Sequence, residues 1–71
     1  MTGFTESPLA LAGRQVAEAE QRQARQNYLI AGLVGNEEAL VHAQQVLAEI
    51  TRTLVLARAY RSLLLSVPEA E

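Results

Sequence analysis

The 71-residue sequence contains no cysteine, no tryptophan, no lysine and no aspartate, and it has a single histidine. Without cysteine the chain has neither a disulfide nor a thiolate metal ligand. One histidine cannot build a histidine-rich metal site, so no metal or other cofactor is predicted. Chains this short bury little apolar surface and usually gain stability from disulfides, a metal or a partner chain. Association with a partner is the source of stability that remains.

Neither a signal peptide nor a membrane span is predicted, and the net charge is not basic. The first residues, M-T-G-F-T-E-S-P, contain no basic region followed by an apolar run, so no signal peptide is predicted. The most apolar window, residues 54–65, contains Arg58 and Arg61 and is too short and too charged to cross a bilayer. A net charge of −2 argues against nucleic acid as a partner. We therefore expect a cytoplasmic protein without membrane contact.

The residues that are present predict two long helices. Ser7 and Pro8 form a helix start, because serine caps a helix and proline suits its first position. We predict one helix over residues 8–34, a turn at 35–36 and a second helix over 37–66, which Pro68 terminates. Gly32 and Gly35 both fit the end of the first helix, and Gly35 is preferred because Asn36 then caps the second. Residues 1–6 and 68–71 are expected to be disordered.

Both predicted helices carry apolar residues at alternating spacings of three and four, the pattern of a coiled-coil seam. The predicted seam within the hairpin consists of Leu9, Val16, Ile30, Leu33, Leu40, Leu47 and Ile50. Gln23 and Gln26 fall on the same rows. Either they reach water at the edge of the seam, which we prefer, or they form a buried polar layer that fixes register. Folding about Gly35 would also pair Glu18 with Arg52 and Arg22 with Glu49.

The second helix is apolar over more of its circumference than one partner helix can cover. Residues 54–56 and 63–65 are consecutive apolar triplets, which fan around the helix at about 100° per residue. We therefore predict an all-α hairpin that dimerises into an antiparallel four-helix bundle. The expected dimer interface consists of Val46, Leu54, Val55, Leu56, Leu63, Leu64 and Leu65.

No constellation of residues indicates catalysis. His42 has no placed nucleophile or second ligand near it in sequence, and no carboxylate pair has a spacing suited to acid–base chemistry. We predict a non-enzymatic protein–protein interaction or assembly module, most simply a homodimer, without a small-molecule substrate. The alternative is a small dimeric regulator that binds RNA through Arg14, Arg22 and Arg25 on the bundle surface.

Two segments resemble a group of short uncharacterised helical-hairpin proteins common in alphaproteobacteria. They are V-A-E-A-E-Q-R-Q-A-R-Q-x-x-L-I-A-x-L, residues 16–33, and T-x-x-L followed by L-A-R-A-Y-R-S-L-L-L, residues 51–65. The chain differs from that group at Gln23, where an apolar residue is expected, and at Ala57 and Tyr60, where histidines are expected. The resemblance implies a bacterial cytosolic hairpin and no assigned activity.

Overall fold

The computed structural model describes residues 6–67, and within that range the chain forms two helices and no strand. The helices are α1 (Pro8–Ala31) and α2 (Glu37–Ser66). They pack against each other as a helical hairpin, which confirms the predicted all-α hairpin. Residues 1–5 and 68–71, predicted to be disordered, lie outside the described residues.

Glu6 is described, and its assignment to a disordered segment is corrected by two contacts with Arg14. Arg14 Nη2 donates to Glu6 Oε1 at 2.7 Å, and Arg14 Nε donates to Glu6 Oε2 at 3.1 Å. This paired geometry matches the planar guanidinium to the planar carboxylate. The segment just before α1 is therefore tied to the second turn of the helix.

The helix starts are those that the sequence predicts. The Ser7 hydroxyl oxygen accepts a hydrogen bond from Ala10 N at 3.0 Å, and Pro8 occupies the first helical position. Asn36 Oδ1 accepts from Ala39 N at 3.2 Å at the start of α2. Each cap satisfies a backbone N–H that has no partner inside the helix.

The end of the first helix was predicted too late. α1 ends at Ala31 rather than at residue 34, and Gly32 is its C-cap in a right-handed conformation. The chain then turns more tightly than an α-helix, because the N–H groups of Gly32, Leu33 and Asn36 each donate to a carbonyl three residues earlier. Gly35 has φ +93°, a conformation that L side chains rarely adopt. Gly35 therefore reverses the chain just before the Asn36 cap, but it does not end α1.

Among residues 6–67 the buried core is thin, and of the predicted seam residues only Val16 and Ile50 belong to it. Its buried residues are Ala12, Val16, Ala19, Ala43, Ile50 and Leu54. Ile30, Leu33, Leu40 and Leu47 are half-buried on the same rows, whereas Leu9 is exposed at the open end beside Leu64 and Leu65. Three of the six buried residues are alanines, which have little apolar surface to bury.

Gln23 and Gln26 each form a hydrogen bond across the seam to α2, while neither is fully buried. Gln26 Nε2 donates to the Ala43 carbonyl at 2.9 Å, and Gln23 Nε2 donates to Thr51 Oγ1 at 3.2 Å. Both glutamines are half-buried. Because these amides bond to particular groups on α2, they favour this register over a shifted one.

Candidate interaction surface

One side of the hairpin forms a long groove between the helices. Its central part is lined by Gln15, Glu18 and Arg22 from α1 and by Thr53, Leu56 and Tyr60 from α2. Toward the turn it continues between Leu29 on α1 and His42 and Val46 on α2. We call this surface the groove face.

Large apolar side chains on the groove face are open to solvent. Leu56 is 64% exposed, Tyr60 is 49% exposed and Leu29 is half-exposed. Leu63 follows Leu56 by seven residues, which is close to two helical turns, and is 63% exposed on the same side of α2. Exposed apolar residues are ordinary when scattered singly, whereas several on one side of a hairpin make that side a candidate interaction surface.

The opposite side of the hairpin, the back face, is defined by an ion pair that bridges the helices. Arg58 Nη2 donates to Glu20 Oε2 at 3.0 Å. Glu20 is two residues from Glu18, and Arg58 is two residues from Leu56. A step of two residues rotates about 200° around a helix, so this pair lies away from the groove face. Val55 is on the same side of α2 as Arg58.

The structure divides the predicted dimer-interface residues among three environments. Val46, Leu56 and Leu63 belong to the groove face, while Val55 and Leu65 are exposed toward the back face. Leu64 is half-buried on the seam. Leu54 is only 2% exposed and packs against Val16 and Ala19. Leu54 therefore has no surface to offer a partner, and its assignment to the dimer interface is corrected.

The two predicted ion pairs between the helices do not form among residues 6–67. Glu18 Oε2 accepts instead from Arg14 Nη1 at 3.2 Å, along the same helix. The register of the two helices differs from that of a chain folded about Gly35 alone. The turn takes up residues 32–36, and Val16 and Ala19 pack in one cluster with Leu54 and Ala57. This offset moves Arg58, which was not predicted to pair, opposite Glu20.

The three arginines proposed for RNA are in different situations. Arg14 binds the carboxylates of Glu6 and Glu18, and its pKa is raised above its ordinary value chiefly by the hydrogen bonds with Glu6. The same hydrogen bonds lower the pKa of Glu6. Arg22 lines the groove face, whereas Arg25 lies in a shallow cleft on α1 near Tyr28. Two carboxylates beside Arg14 offset the positive charge that a phosphate would need.

Within residues 6–67, no group of three or more histidine, cysteine, aspartate or glutamate side chains is arranged to hold a metal ion. His42 is exposed at the turn end of the groove face. Neither described helix has a stretch long and apolar enough to cross a membrane.

Comparison with known protein families finds no match to this chain, and no curated protein or solved structure is significantly similar to it. The resemblance to short alphaproteobacterial hairpin proteins stays a prediction from the sequence.

Proposed function

We propose that this protein is a non-enzymatic self-association module, in which two hairpins pack as a four-helix bundle that serves as an assembly or protein-interaction unit. The observation that supports it is the groove face, where leucine and tyrosine side chains from both helices lie open to solvent. A helical hairpin with a second apolar side typically buries that side against another helical layer.

The weakness of the hairpin core supports the same proposal. The six buried residues include only one leucine, Leu54, and one isoleucine, Ile50. Fully burying a leucine contributes about 1.5–3 kcal/mol. Leu56 and Leu63 are each nearly two-thirds exposed, so most of that contribution is still available to them. Packing a partner on the groove face would enlarge a core that is small for two helices of 24 and 30 residues.

A second copy of the chain is the simplest partner, since most oligomers of soluble proteins are symmetric homo-oligomers. The RNA-binding alternative receives less support, because Arg14 is paired with two carboxylates. The proposal therefore assigns the groove face to protein contact.

The test is the mass of the chain in solution, measured by light scattering over a wide concentration range with circular dichroism recorded on the same samples. The expected result is a helical particle of twice the 7.7 kDa chain mass. Helicity that falls together with mass on dilution would also support the proposal, because folding would then depend on association. A helical monomer at every concentration would refute it.

A further inference from the structure

We infer that the second copy covers the groove face in the opposite direction, so that the turn of one hairpin lies at the open end of the other and a twofold axis passes near Thr53. This inference rests on the proposed function, because it takes dimerisation as given. It adds the face, the direction and the residues that meet at the axis.

The register of the hairpin sets the level of such an axis. Val16 and Ala19 pack beside Leu54 and Ala57, and Leu9 lines a cleft with Leu64 and Leu65. Because the helices run antiparallel, each step forward along α1 corresponds to one step back along α2. Position 20 of α1 therefore lies level with positions 53–55 of α2. An axis at this level crosses the middle of both helices at once.

The row of residues that α1 presents on this side is complementary to itself about position 20. Before that position the row has Glu18, with Leu11 about two helical turns earlier, and after it the row has Arg22, with Leu29 about two turns later. When a second α1 lies antiparallel across the axis, Glu18 faces Arg22 of the second copy and Leu11 faces its Leu29. Twofold symmetry forms each of these contacts twice.

The charges of the single hairpin are consistent with this arrangement. Glu18 and Arg22 line the same part of the groove face, but the Glu18 carboxylate is bound to Arg14. Among residues 6–67, Arg22 makes no ion pair. In the proposed dimer, the Glu18 carboxylate of the second copy faces Arg22. The same carboxylate also binds Arg14 of its own helix, so it lies between two arginines.

Stacking the hairpins in the same direction fits the charges less well. Each α1 would then lie over α2 of the second copy at the same level. Glu18 and Leu56 line the same part of the groove, so that stacking sets a carboxylate over a leucine. Covering a charge with an apolar group costs free energy unless another partner compensates for it. The opposite direction avoids this cost at Glu18, because it sets that carboxylate over an arginine.

Cysteine cross-linking tests the direction, and the chain has no native cysteine to interfere. Thr53→Cys places its two thiols near the proposed axis, so a short bismaleimide should link most of the dimer. His42→Cys is the control on the same face. At ~1.5 Å per residue its two thiols would lie about 30 Å apart in the proposed dimer. Stacking in the same direction would instead keep the two copies of each residue level, and the two variants would then cross-link alike.

Charge exchange tests the contact itself. Arg22→Glu gathers four carboxylates at the axis and should weaken self-association about tenfold or more at low salt, with a smaller effect at high salt. Glu18→Arg gathers four guanidinium groups and should do the same. An equal mixture of the two variants should dimerise again as a heterodimer, because each Glu then faces an Arg.

The outcomes separate this inference from the proposed function. A wild-type chain that is a helical monomer refutes both. A wild-type dimer in which Thr53→Cys and His42→Cys cross-link equally, or in which the charge variants fail to combine, refutes the opposed arrangement and leaves dimerisation standing. Efficient cross-linking at position 53 alone, together with recovery in the mixture, supports the inference.

Discussion

Leu56 and Val55 are neighbours in the sequence with similar exposure, and the structure predicts opposite consequences for the same substitution at each. Leu56 is 64% exposed and lines the groove face, while Val55 is 56% exposed and points toward the back face. We expect Leu56→Gln to break the dimer and Val55→Gln to leave it intact. Glutamine has a helix propensity close to that of leucine and better than that of valine, so neither change should unfold α2.

The size of the effect follows from the exposure. Fully burying a leucine contributes about 1.5–3 kcal/mol, so covering the exposed two-thirds of Leu56 contributes about 1–2 kcal/mol. Both copies lose this contribution, which gives about 2–4 kcal/mol in the free energy of dimerisation. That corresponds to roughly a 30- to 1000-fold rise in the dissociation constant. Substitution at Val55 should change the dissociation constant by less than about threefold, as is usual for surface sites.

Sedimentation equilibrium of the wild type and of both variants, with circular dichroism at matched concentrations, measures the three dissociation constants. Equal weakening by both substitutions would mean that α2 is covered on both sides. A Leu56→Gln variant that dimerises as tightly as the wild type would refute the assignment of the groove face.

Four further predictions concern the hairpin itself. Leu54→Ala should lower the free energy of unfolding by about 2–5 kcal/mol, because Leu54 is fully buried. Urea denaturation at a fixed protein concentration measures this loss. A loss below about 1 kcal/mol would contradict the place of Leu54 in the core. Gly35→Ala should cost about 1–2 kcal/mol, since φ is +93° there. Gly13→Ala should stabilise the helix by about 0.5–1 kcal/mol, since an added Cβ meets no atom within 4 Å. The two glycine substitutions should therefore shift the thermal midpoint in opposite directions, and shifts in the same direction would contradict these predictions. In an NMR titration the pKa of Glu6 should lie below its ordinary value and return to it in Arg14→Gln. The contribution of Glu6 to stability is therefore present above its ordinary pKa and is lost as the pH falls through the lowered one.

Much of the hairpin could be predicted from local rules. Ser7, Pro8 and Asn36 identify the helix starts because capping depends on the residue type and its immediate neighbours. The alternation of three and four identifies the seam, since it reflects the geometry of the helix itself. The end of α1 was harder to predict, because Gly32 and Gly35 both suit a helix end and the choice depends on the hydrogen bonds within the turn.

The sequence by itself determined that this protein has two helices, where they begin and which rows pack between them, because periodicity and capping are properties of short segments. Only the tertiary structure decided the offset between the helices, and with it the Glu20–Arg58 ion pair and the hydrogen bonds of Gln23 and Gln26 to α2. The physical reason is that these features depend on how far one helix slides along the other. That distance comes from the summed contacts of both helices and is not encoded at any single position.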